Sequence, residues 1–204
     1  MRWKTAPFGR QKCWILVLLA VIAWPLGLCA DVPGVRTQVQ PVPTEPPPST
    51  VGFRMGSLPD GSGTEMCLEI AASRWVSFES CGTGAGFLYP ASGADLAHFR
   101  FKAPLGAWHT PIGWLVPQVH AGFAELEIAG DQPGFRFTGT GSQGVETAGP
   151  EAGVSLRLVQ ETQGSFELIT ELLINTVWLP YADQLKIPQP TLQTATTLNV
   201  GLAW

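Results

Sequence analysis

Twelve ionisable residues fall on one alternating row of this chain: Arg54, Glu65, Glu69, Glu79, His98, Arg100, Lys102, His120, Glu151, Arg157, Glu167 and Glu171. Apolar residues fill much of the other row, so in extended backbone the two sets point to opposite faces. Carboxylates and guanidinium groups gathered on one face can act as acid and base, hold a metal, or neutralise one another. Glu69 and Glu79 are of the type used in glycosidase dyads, but a carboxylate pair flanked by arginines is more simply structural. His98, His109 and His120 are the only histidines, and none accompanies a serine motif such as G-x-S-x-G. No Cys/His spacing suggests a metal site. Gly82-Thr83-Gly84-Ala85-Gly86 opens no helix, so it is a loop and not a phosphate cradle. No catalytic residue, metal or cofactor is expected.

Turn positions suggest how these residues meet. A hairpin centred on Arg74 sets Cys67 opposite Cys81 and Glu69 opposite Glu79, on one face. A cross-strand disulfide follows for the cysteines. The opposed glutamates repel, and neighbouring strands offer Arg54 on one side and Arg100 on the other. The expectation is a charge cluster of Arg54, Glu69, Glu79 and Arg100. A second hairpin around Glu161 and Thr162 sets Arg157 opposite Glu167. The bland alternative is that all these charges are solvated on the outside of a soluble barrel.

The elements that must position these residues read as strands. The chain has 204 residues with 23 Gly, 18 Pro and only 14% charged residues, a turn-rich composition poor in exposed helix formers. Eight candidate strands run over residues 51–58, 64–72, 75–81, 96–103, 114–126, 150–159, 166–178 and 191–204. Each approaches the roughly 9 to 11 residues that a tilted strand needs to cross a bilayer. The connections after the second, fourth and sixth strands are shorter than those after the third, fifth and seventh. The longer ones carry Phe87, Leu88 and Tyr89, and Phe135, Arg136 and Phe137, which read as an aromatic rim or as strand extensions before they read as a partner or glycan site.

The N-terminus reads separately. Arg2, Lys4, Arg10 and Lys12 precede or open an apolar run from Cys13 to Cys29 that ends in small residues, the pattern of a secretory signal over residues 1–30 with cleavage after Ala30. An uncleaved anchor and a lipidated Cys29 are the alternatives. Residues 31–49 are proline-rich and read as a disordered leader. Loss of residues 1–30 leaves eight basic against 16 acidic residues, a net charge of −8, which disfavours nucleic acid and anionic headgroups as partners. The mature chain keeps only Cys67 and Cys81, in an oxidising compartment.

The last strand decides the class. Leu192, Thr194, Thr196, Leu198, Val200, Leu202 and Trp204 share one row to the final residue, where soluble domains usually fray into polar residues. In a membrane barrel the apolar row faces outward and the polar row inward, the reverse of a soluble barrel. With the terminal Leu202-Ala203-Trp204, the strand count and the loop asymmetry, residues 50–204 resemble the small eight-stranded outer-membrane barrels of the outer membrane protein A and X type. The resemblance implies an all-β, antiparallel, up-and-down transmembrane β-barrel in the bacterial outer membrane. It implies outer-membrane lipid and the barrel-assembly machinery as partners, with Leu202 and Trp204 in the assembly signal. It also implies a monomer with a structural or surface-interaction role and no enzymatic one. A soluble periplasmic lipocalin-like carrier and a narrow outer-membrane channel are the alternatives. Phe166, Trp178 and Trp204 suit an interfacial girdle; Trp75 and Trp114 lie on the other row. Pro117, inside the fifth strand, departs from the pattern, because a closed barrel has no free edge to host it.

Overall fold

The structure, a computed structural model, describes residues 49–57, 64–83, 94–128, 135–141, 143–162 and 164–204. The expected signal and all of the expected leader except Ser49 lie outside the described residues, as do Phe87, Leu88 and Tyr89. Nine strands follow in order: β1 (Val51–Ser57), β2 (Thr64–Ser73), β3 (Val76–Gly82), β4 (Ala94–Pro104), β5 (Trp108–Thr110), β6 (Gly113–Ile128), β7 (Glu146–Glu161), β8 (Glu167–Trp178) and β9 (Leu192–Ala203). Eight of them close a ring. Successive antiparallel pairs join β1 to β4 and β6 to β9, β4 pairs with β6, and β9 returns to β1. The chain is therefore an all-β, closed, eight-stranded up-and-down antiparallel barrel. Closure gives each of the eight ring strands a neighbour on both sides, where an open sheet would leave unpaired edges that hydrocarbon could not tolerate.

The alternating rows sort as a membrane barrel requires. On β9, Leu198, Val200 and Leu202 are 42%, 46% and 44% exposed, while Thr197 and Asn199 on the alternate row are buried. On β1 and β2, Phe53, Met55, Leu68 and Ile70 face outward, and Arg54, Cys67 and Glu69 face inward. The greasy rows therefore form the outer surface, the opposite of a lipocalin-like carrier.

Three details depart from the sequence reading. β5 occupies what reads as a turn; it extends the β4 side of the ring and pairs with the start of β6 through Trp108–Leu115 and His109–Trp114. β6 and β7 are also longer than expected, reaching Ile128 and beginning at Glu146. Third, β7 and β8 pair so that Arg157 faces Glu171, and Glu161 faces Glu167. The turn is centred two residues later than expected. There the Thr162 hydroxyl donates to the Phe166 carbonyl at 2.5 Å, and the Gly164 N–H donates to that hydroxyl.

Pro117 finds a place without a bulge. It pairs with Leu156 of β7, and its carbonyl accepts the Leu105 N–H at 2.9 Å. In an antiparallel strand a residue's N–H and C=O point to the same neighbour. The donor that Pro117 lacks would therefore point toward Leu105, just beyond the last β4–β6 pair, Pro104–Gln118. No ladder bond is lost there.

Candidate functional site

The interior is filled in layers by the inward rows. At the end that carries the short turns and the chain terminus, Trp114, Val116 and Val159 pack together with Ala107. At the other end Ala124, Leu126, Ile128 and Val177 pack against Leu179, Ala182 and Leu185 of the connection from β8 to β9. That connection turns through a 3-10 helix, Ala182–Gln184. It folds over the mouth, held by Leu179 N–H to Thr191 O at 2.7 Å and Lys186 N–H to Gly144 O at 2.7 Å.

Between the apolar layers lies a charge network. Arg54, fully buried, is its hub. Its Nη1 donates to Glu69 Oε2 at 2.5 Å, its Nη2 pairs with Glu79, and its Nε lies 3.1 Å from Glu171 Oε2. Lys102, also fully buried, donates to Glu79 at 3.1 Å and to Glu171 at 2.5 Å. Arg157 donates from Nη2 to Glu69 at 2.5 Å and lies 3.3 Å from Glu171. Arg100 lies 2.7 Å from Glu79. Further along the lumen, His98 Nδ1 meets Glu151 Oε2 at 2.6 Å, and Asn175 donates to the same oxygen at 3.0 Å.

The network answers the cost of burying so many charges. An isolated ion in low dielectric costs several kcal/mol even after relaxation. Here every arginine and lysine of the cluster touches at least one carboxylate. Glu69, Glu79 and Glu171 come close enough together to suggest a metal site, within 4.8 Å, but Arg54 contacts all three. A guanidinium holds the place a cation would take. Glycine makes that reach possible: Gly201 of β9 is the cross-strand partner of Arg54, and a Cβ there would lie 2.8 Å from Arg54 Cγ and 1.9 Å from the Phe53 carbonyl oxygen.

The structure brings Arg54, Glu69, Glu79, Arg100 and Arg157 together. Glu167 stays outside the network, half-buried beside the short-turn mouth, and Glu171 takes the position opposite Arg157. The sequence row held Lys102 and Glu171, but neighbour-strand pairing alone did not connect them to the others. Cys67 and Cys81 face each other and form a disulfide, with Arg100 Nη2 donating to the Cys81 Sγ at 3.2 Å.

No catalytic constellation assembles from the described groups. Ser77 and Ser155 direct their hydroxyls to Glu69 and Gln118. His109 packs edge-on against Trp114 with ring centroids 5.0 Å apart. A cavity of about 250 Å³ opens at the short-turn end, with Glu69, Arg157, Gln118 and Glu167 among its walls.

The aromatic residues divide between the two rims. At the short-turn end Phe166 and Trp204 meet at 6.2 Å, and Trp75 and Trp108 are exposed in the other short turns of that end. Trp75, on the inward row by parity, sits in the turn and so joins this rim, whereas Trp114 is buried in the lumen. At the other end Phe135 and Phe137 pack against Phe123 on the outer wall, and Phe135 also meets Phe99. These loop aromatics belong to the wall.

Closed ring, ionic interior and apolar exterior define the class, a small eight-stranded β-barrel with the polarity of a transmembrane one. Among solved structures, the chain is similar to the N-terminal β-barrel domain of Pseudomonas aeruginosa OprF, at 14% identity and a TM-score of 0.44, over 76% of this chain and 95% of that one. No protein-family model and no curated protein matches the sequence.

Proposed function

We propose that the chain is an integral outer-membrane protein with a structural or surface-interaction role and no catalytic one. The observation that supports this best is the polarity of the barrel: Arg54 and Lys102 are fully buried while Leu198, Val200 and Leu202 lie on the surface. Such a surface is stable only against hydrocarbon. On this reading the partners are outer-membrane lipid and the barrel-assembly machinery, which reads the terminal strand with Leu202 and Trp204. Residues 1–30 direct export, and the barrel works as a monomer. The filled interior, with an apolar layer on each side of the ionic one, favours a scaffold over a pore.

The test is expression of the full chain in a Gram-negative host, followed by fractionation. The protein should enter the outer-membrane fraction, need detergent for extraction, and migrate differently on gels before and after boiling. Recovery as a soluble periplasmic monomer would overturn the proposal. Steady single-channel conductance in planar bilayers would replace the scaffold role with transport.

A further inference from the structure

The Cys67–Cys81 disulfide is sealed inside the barrel. The two cysteines are 1% and 3% exposed, and each faces a further strand of the ring: Cys67 stands opposite Arg54 of β1, and Cys81 opposite His98 of β4. Arg100 Nη2 lies on the Cys81 sulfur at 3.2 Å, and a carboxylate oxygen of Glu65 lies within 4.8 Å of both sulfurs. The cavity at the short-turn mouth has Glu69 and Ser77 in its walls but neither cysteine. Disulfides form and break by attack of a thiolate on a sulfur, through a mixed disulfide that needs direct access to it. A protein thiol cannot reach these sulfurs through a closed eight-stranded wall whose lumen is filled by side chains. The bond therefore predates the barrel.

Before closure, the hairpin that the bond spans works against itself. The inward row of β2 and β3 carries Glu65, Glu69 and Glu79, with Glu69 directly opposite Glu79. Like charges set across a ladder destabilise it, and an isolated two-stranded hairpin is marginal in water even without them. In the folded barrel the cations that meet these carboxylates are Arg54 of β1, Arg100 and Lys102 of β4 and Arg157 of β7. The hairpin's own cation, Arg74, sits in the turn over the Trp75 ring, 4.7 Å from its centroid. An irregularity between Ala71 and Ser73 interrupts the ladder near that turn, and the covalent link fixes the register beyond it.

We propose that a thiol oxidase transfers this disulfide to the exported chain before the strands close, and that the bond then holds β2 in register against β3 until β1, β4 and β7 bring the neutralising cations. The transfer is a two-step exchange. One chain thiolate attacks the oxidase disulfide, forming a mixed disulfide and releasing one oxidase thiolate. The second chain thiolate attacks the chain sulfur of that mixed disulfide, forming Cys67–Cys81 and releasing the other oxidase thiolate. Each chain thiol has lost its proton, two electrons have passed to the oxidase, and the oxidase leaves as a dithiol. The order of events rests on burial alone, while the choice of donor rests on the export proposed above.

The experiment uses the full chain with Cys13→Ser and Cys29→Ser, so that Cys67 and Cys81 are its only cysteines. The oxidised chain, folded in detergent micelles, is exposed to excess dithiothreitol; samples are then unfolded in SDS with a polyethylene glycol maleimide that shifts each free thiol on a gel. The bond should last about a hundredfold longer in the folded barrel than in urea, because reduction must wait for opening. Equal rates would overturn the proposal. Reduced and oxidised chains are also folded side by side and scored by heat-modifiable migration. The oxidised chain should fold about tenfold faster in low salt, and the gap should narrow in about 1 M salt, which screens the opposed carboxylates. Equal folding rates, or a gap indifferent to salt, would remove the register role. In cells, a Gram-negative host lacking its periplasmic thiol oxidase should leave both thiols free, and a complete disulfide in that strain overturns the donor. Free thiols in the normal host as well would sink the export reading and the donor with it.

Discussion

Glu69 and Arg157 stand on opposite walls of the ring, four strands apart either way round, and their side chains meet across the interior at 2.5 Å. A contact over the full width of a barrel is possible only in a small one, where eight strands leave a lumen that side chains fill. The pair ties β2 to β7 directly, and the rest of the network grows around it.

Removing one member of that network should therefore cost far more than a surface ion pair. Arg157→Met strips a cation from both Glu69 and Glu171, and the expected loss is about 3–5 kcal/mol, the usual result of leaving a buried charge without its partner. The double change Glu69→Gln with Glu79→Gln should also lower stability. Urea unfolding in lipid vesicles, followed by tryptophan fluorescence, measures both. An unchanged midpoint would mean that the network adds nothing to the barrel.

The disulfide should matter in a different way. Cys67 and Cys81 are 14 residues apart and already opposed in the β2–β3 ladder, so the bond acts mainly on the unfolded chain, by about 3 kcal/mol for a loop of this size. Cys67→Ser with Cys81→Ser should fold to the same barrel and unfold at lower denaturant. Equal midpoints with and without reductant would contradict this.

Position along the outer wall offers a test of the membrane reading. Leu198, in the middle of β9 opposite Leu172, and Leu192, at its end opposite Trp178, are both exposed. In a bilayer Leu198→Arg should cost about 2–4 kcal/mol and Leu192→Arg about 0–1 kcal/mol, because the penalty follows depth. In water two exposed leucines would tolerate arginine equally. Vesicle unfolding of the two variants distinguishes these outcomes.

The layer over the far mouth is open to a proteolytic test. Leu185→Asp places a carboxylate among Leu179, Ala182 and Ile128. Losing the burial of one leucine, about 1.5–3 kcal/mol, raises the opened population of the 179–191 connection roughly tenfold or more. Trypsin should cut after Lys186 faster by a similar factor, while urea unfolding of the strands changes little. Unchanged cleavage would show that Leu185 does not hold this segment.

Much of this was legible in the sequence because strand period is two. The outward row of Leu198, Val200 and Leu202 and the inward row of Arg54, Glu69 and Glu79 follow from parity, and parity survives a register error of four residues. That is why Arg157 points inward as expected even though it faces Glu171 and not Glu167. The β2–β3 register was readable because the turn at Arg74 is short, and an irregularity between Ala71 and Ser73 restores the pairing of Cys67 with Cys81 beyond it. The β7–β8 register was not, because Thr162 and Gly164 build a turn that their spacing does not announce. Glu171 escaped assignment because the β7–β8 register hid its pairing with Arg157, and the contact between Lys102 and Glu171 crosses the lumen, a distance that a pattern read along the chain does not hold. β5 was missed because three residues are too few to show alternation.

The layer formed by Leu179, Ala182 and Leu185 has a directional consequence. With that mouth stoppered by hydrocarbon side chains and the cavity beside Glu69 and Arg157 opening at the opposite end, the interior is a blind alley. Among the described residues, the opening through which small solutes can reach the ionic core lies on the side where β9 terminates.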